Sequence, residues 1–174
     1  LDLLKVGGGT ADVTTRLFTA LYNTYRMPTH YEDADGRYFG ADGEIHTAGQ
    51  EGYVSDLSLW DTFRTLHPWY LFVDPDAQRT ALNSLIRMGE QGGFVPRWPS
   101  VGGDTGSMDG TSADFLFSES AQKGLTGVDY DHAWDLLMVT ANPPENGSHV
   151  LRDGIEDYVS LGYLPSDRVG ESVS

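Results

Sequence analysis

The sequence predicts an all-α fold, and three observations carry that prediction. Apolar residues recur at helical spacing in six segments. Those segments open near Asp, Ser or Thr and close near Gly or Pro, as helices do. No two runs of strand period face each other convincingly across a turn. The 174 residues suit one compact domain with a real core, and 39% hydrophobic with 11% aromatic residues argues against disorder.

In chain order, the first helix is expected over 11–26, where Leu17, Leu21 and Tyr25 share a face with Phe18 and Tyr22 beside them and Pro28 ends the run. Residues 31–50 carry Asp-Gly twice around Tyr38 and Phe39 and read as a loop or hairpin. A helix over about 56–70 follows, stopped or bent near Pro68. The next opens at Asp74 with Pro75 in its first turn, buries Leu82, Leu85 and Ile86, and terminates at Gly92-Gly93. Residues 94–110 form a long loop rich in Gly and Pro, a type that is often functional in compact domains. Three more helices are expected: 111–124, opened by Thr111 or Ser112; 129–141, opened by Asp129 with Trp134, Leu137 and Met138 along one face; and 151–161, ended by Gly162 and Pro165.

Charge narrows the function. The chain has 26 acidic and 11 basic residues, a formal net charge of −15, and its only lysines are Lys5 and Lys123. With no basic patch to release counterions, nucleic acid is excluded as a partner, and an anionic membrane surface is disfavoured. No apolar run approaches the length of a membrane span. There is no cysteine, so disulfides, thiolate nucleophiles and Cys-ligated zinc are excluded. The chain begins "LDLLKVGGG" without Met, so residue 1 is not expected to be the native start.

The stretch "DLSLWDTFRTLHPWY" concentrates chemistry. On one continuous helix at 100° per residue, Leu59, Phe63, Leu66 and Tyr70 fall on a packing face. Trp60, Arg64 and His67 fall opposite, with Asp61 close by. The plain alternative is an Asp61–Arg64 surface ion pair, a half-buried Trp60 and a helix-terminal His67. The functional reading is a sugar-binding face: an indole for the apolar side of a pyranose, a carboxylate and a guanidinium for its hydroxyls. The loop "PRWPSVGGDTG" offers the same types in Arg97, Trp98 and Asp104, and Trp98 serves equally well as an anchor packed on the core.

Six stretches occur in an order that resembles glycoside hydrolase family 92: "FTALYNTY", "DADGRYFGADGEIH", "SDLSLWDTFRTLHP", "GEQGGFVPRWP", "AQKGL" and "GIEDYVSLGYLP". The motif "SLWDTFRTLHP" in the third stretch is specific, the others are individually weaker but share order and spacing, and the resemblance runs from about residue 16 to 168. It implies an α-mannosidase catalytic domain built as an (α/α)6 toroid, of which this chain is about half. The family is calcium-dependent and inverting, so it uses a general acid and a general base that activates water. By the same resemblance Asp61 binds mannose hydroxyls in the terminal subsite, Trp60 and Arg64 shape that pocket, and His67 and Trp98 are weaker members of the set. The loop after "RWP" departs from the family pattern, which leaves Asp104 and the linkage specificity open.

The family's acid glutamate sits in an "EGN"-type motif beyond "LGYLP", and its "HGNEPSH"-type calcium motif and "GNxDxGQ"-type carboxylate pair lie further on; none of these occurs in the sequence. Ca2+ ligands are therefore expected outside this segment. Asp33, Asp35 and Glu44 imitate positions of a calcium loop, but Arg37 and Tyr38 stand where a ligand and the turn glycine belong, so a turn-rich hairpin is expected there. The resulting expectation is a segment of a catalytic domain, inert alone, with the remainder of its own domain and a mannose-containing glycan as partners and a location outside the cytoplasm. The reading of a different class is a stand-alone carbohydrate-binding module without catalysis.

Overall fold

The computed structural model describes residues 4–142 and 152–170, and the fold is helix-rich. Helix α1 (Ala11–Thr24) starts at Thr10, whose hydroxyl accepts a hydrogen bond from the Val13 N–H at 3.3 Å. Its apolar stripe is largely unpartnered: Leu21 is buried, while Leu17, Tyr22 and Tyr25 are exposed. Two side-chain hydrogen bonds tie down its C-terminal end. The Tyr70 hydroxyl donates to the Thr24 carbonyl at 2.6 Å, and the Tyr25 hydroxyl donates to Asp74 at 3.1 Å.

Four short strands follow: β1 (Thr29–His30), β2 (Arg37–Phe39), β3 (Ile45–Thr47) and β4 (Val54–Ser55). β2 and β3 form the hairpin expected from the Asp-Gly turns, and β1 pairs antiparallel with β4, Thr29 opposite Ser55 and His30 opposite Val54. A third pair joins β5 (Pro99–Ser100) to β6 (Gly103–Asp104). The purely all-α expectation is corrected to this extent. Strands of two or three residues are too short to show a period-two pattern, so they are invisible to it.

The expected helix over 56–70 is two helices, α2 (Leu59–Thr62) and α3 (Leu66–Val73). Pro68 is the reason. In an unbroken helix its ring would meet the carbonyl of Arg64, four residues back. In the first turn of α3 it costs nothing, because N–H groups there have no helical acceptor. Thr65, at φ −139° and ψ −46°, makes the break.

Helix α4 (Pro75–Gly92) is the spine of the fold. Asp74 accepts from the Ala77 N–H at 3.2 Å, Pro75 occupies the first turn, and Gly93 ends the helix at φ 82°, a left-handed conformation that glycine takes without a Cβ penalty. Leu82 and Leu85 are fully buried and Met88 nearly so, in one core with Leu57, Leu59 and Leu116. Helices α5 (Ser112–Gln122) and α6 (Tyr130–Ala141) pack against this side, and α7 (Ile155–Leu161) closes the described chain. α6 comes so close to α4 that a Cβ on Gly89 would stand 3.0 Å from Leu136. The start of the helix expected over 151–161 lies partly outside the described residues.

Candidate functional site

The chemistry of the tryptophan-aspartate stretch collects at α2, and the break before α3 divides it. Trp60 and Asp61 lie on the surface, Trp60 at 39% exposure. Asp61 and Arg64 do not pair with each other. The Ser58 hydroxyl donates to the Asp61 carboxylate across the first turn of α2. Arg64 instead donates to the Trp60 carbonyl, and its guanidinium stacks 4.3 Å from the Trp60 ring centre and 4.5 Å from that of Phe63. Phe63 in turn stacks on Phe115 of α5, ring centres 5.0 Å apart and planes 17° from parallel.

His67 is not on this face. It was expected opposite the packing stripe on the strength of one continuous helix, and the new helix phase turns it inward, where it is 1% exposed. Its Nδ1 lies 2.7 Å from Oε1 of buried Gln78, whose amide donates to the hydroxyl of buried Ser120 at 3.1 Å. Because the Gln78 NH2 is spent on Ser120, its oxygen accepts, and His67 carries its proton on Nδ1. Burial drives the His67 pKa down to about 4, partly offset by the Gln78 hydrogen bond and the Glu119 charge. The histidine is thus a neutral core residue that ties α3 to α4 and, through Gln78, to α5.

The second expected stretch sits alongside. The Leu57 N–H donates to the Pro99 carbonyl at 3.1 Å, which docks the β5–β6 hairpin on the segment entering α2. Ser55 donates to the Val101 carbonyl at 2.9 Å, and Ser100 donates to Asp56 at 2.7 Å. These bonds secure a turn with Val101 at φ 56°, a backbone region costly for a β-branched residue. Trp98 is partly buried and its indole N–H has no acceptor among the described residues. Asp104 accepts from the backbone N–H groups of Trp98 and Gly106, at 2.9 and 3.1 Å, and Arg97 donates to the Gly106 carbonyl at 2.9 Å. Both charged side chains build the loop. The pair Trp60–Asp61 is what faces outward, with the hairpin carrying Trp98 beside it.

Sequence reasoning missed Ser58, Phe63 and Phe115 as parts of this neighbourhood. Ser58 was legible as the start of a Ser-x-x-Asp pattern at a helix opening. Phe63 was assigned to the core stripe, and Phe115 lies 52 positions further along the chain, beyond any local pattern. Among the described residues no group of three or more His, Asp or Glu side chains converges, and the hairpin carboxylates are engaged locally, Asp35 with Arg37 and Asp42 with His46.

The chain matches the glycosyl hydrolase family 92 catalytic domain over residues 1–174. Among solved structures it is similar to the family GH92 α-mannosidase BT3965 from Bacteroides thetaiotaomicron, seen with and without mannoimidazole: 30% identity, TM-score 0.81, 90% of this chain and 20% of that one. It is also similar to the family GH92 inverting mannosidase BT2199 of the same organism: 29% identity, TM-score 0.82, 97% of this chain and 23% of that one. No curated protein matches. The chain thus spans about a fifth of the length of the solved proteins it resembles. With a match that runs its whole length and a backbone that follows the solved members, the chain belongs to glycosyl hydrolase family 92.

Proposed function

We propose that this chain is a segment of an inverting, calcium-dependent α-mannosidase catalytic domain, where it supplies part of the pocket for the terminal mannose of a glycan. The observation that carries the reading is the outward-facing Trp60–Asp61 pair at the start of α2, in a family whose solved members include α-mannosidases. An indole face covers the apolar side of a pyranose, and a carboxylate accepts from two vicinal hydroxyls. Ser58 orients that carboxylate from one side and leaves acceptor capacity on the other.

Inverting hydrolysis needs an acid at the glycosidic oxygen and a base that activates water on the opposite face. Asp61 is a binding group in this reading, so the segment holds and orients the sugar while both proton-transfer groups and the calcium ligands come from the rest of the domain. Calcium, once bound there, would help hold the sugar at the cleaved end.

The surface supports a missing remainder. A groove of about 540 Å³ runs between α5 and α6, lined by Phe115, Phe117, Trp134, Leu137 and Met138. Trp134 is 62% exposed and Phe115 58%. Apolar surface of this kind is costly to leave in water, and we assign it to packing against the rest of the same catalytic domain, completing an (α/α)6 toroid. A location outside the cytoplasm belongs to the same proposal.

The test is turnover. The pure 174-residue chain is expected to release no mannose from an aryl α-mannoside, with or without calcium, because losing acid and base removes about a hundredfold or more for each. Robust calcium-dependent turnover by this chain would overturn the assignment of the catalytic groups to the missing part.

A further inference from the structure

The side chain that holds the Trp60 indole is itself held from another helix. Arg64 lies over Trp60 at 4.3 Å and over Phe63 at 4.5 Å, and Phe63 stacks on Phe115 at 5.0 Å. The result is a four-layer stack, indole, guanidinium, phenyl, phenyl, that crosses from α2 to α5. α2 has only four residues, Leu59–Thr62, too few to fix a surface indole by its own backbone. Its buried Leu59 anchors the backbone but leaves the orientation of Trp60 to the stack. With Arg64 against one face, the indole presents its other face outward.

We propose that Phe115 is a positioning residue for sugar recognition: acting through Phe63 and Arg64, it orients the Trp60 ring on which the pyranose stacks. The proposal rests on the reading of Trp60–Asp61 as a mannose subsite. It assigns Arg64 to the support of the indole rather than to the sugar hydroxyls. Phe115 is 58% exposed and also lines the α5–α6 groove, so the element that covers the groove bears directly on the stack.

The experiment is a double-mutant cycle read by methyl α-mannoside affinity in the gene product as encoded, with Trp60→Ala, Phe115→Leu and the pair. Phe115→Leu is expected to weaken binding about three- to tenfold, the range of one aromatic stacking contact. Phe115→Tyr should restore wild-type affinity. In the Trp60→Ala background Phe115→Leu should add nothing further. Additive losses, or unchanged affinity in Phe115→Leu, overturn the proposal. Arg64→Gln serves as a second arm if Phe115→Leu folds poorly: it too should be silent once Trp60 is gone, and an effect that survives there overturns the proposal. Should Trp60→Ala alone leave affinity intact, the subsite reading fails first and the positioning role falls with it.

Discussion

Asp74 caps α4 and Asp129 caps α6, each by accepting a backbone N–H of the first turn, and both helices carry apolar residues at helical spacing. Their surroundings differ. Leu82 and Leu85 of α4 are shut away from water, whereas Trp134 and Val139 of α6 face it. Periodicity therefore reveals that a helix has an apolar face, while the presence of a partner for that face depends on chain that lies elsewhere in sequence. α4 finds cover for its apolar face among the described residues, and these side chains of α6 do not.

The sharpest way to break that comparison is at α4. Leu85→Ala is expected to cost about 3 kcal/mol, from lost burial and the cavity left behind. In thermal denaturation that is a fall in Tm of roughly 10 °C for a chain of this size. A change near zero would mean that the core is not where we place it.

Next in size is His67. Its pKa in the folded chain is about 4, against 6.5 in the open chain, so between those values the unfolded state binds the extra proton. Its contribution is therefore whole above pH 6.5 and drains away as the pH falls toward 4, by at most about 3 kcal/mol. His67→Asn keeps a donor for Gln78 and has nothing to titrate. Denaturant titrations of both proteins should converge in stability as the pH falls from 6.5 to 4. Parallel curves would show that His67 titrates as it does in water.

Asp74→Ala, removing the α4 cap, is expected to cost about 1 kcal/mol in the same assay. The smallest effect belongs to α6: Trp134→Gln should alter stability by less than about 0.5 kcal/mol. It should nevertheless reduce self-association in sedimentation velocity, since the groove loses its largest exposed ring. A large loss of stability in Trp134→Gln would place that side chain in a finished core and remove the contrast with α4.

How much was legible beforehand follows the same line. The caps and the terminator of α4 were plain in the sequence, as were the hairpin turns, because each is a local choice of backbone conformation. The split of 56–70 was half visible: Pro68 marked a boundary, but whether a proline stops one helix or starts the next depends on the residues packed around it. That ambiguity misplaced His67, for a few residues of phase reverse a helical face. Gln78 and Ser120, its partners, are distant in sequence and offered no signal. Trp60 and Asp61 were legible through their residue types and the resemblance; the Arg64–Phe63–Phe115 stack beneath them was not.

Asp61 remains the residue on which the functional account turns. The most direct test measures kcat/KM on an α-mannoside and Tm side by side for wild type and Asp61→Ala, in the gene product as encoded. The account predicts a loss in kcat/KM on the order of a hundredfold, as for a charged hydrogen-bonding group removed from a substrate, with Tm nearly unchanged. Equal kcat/KM in the two proteins would contradict it and remove the mannose pocket from α2.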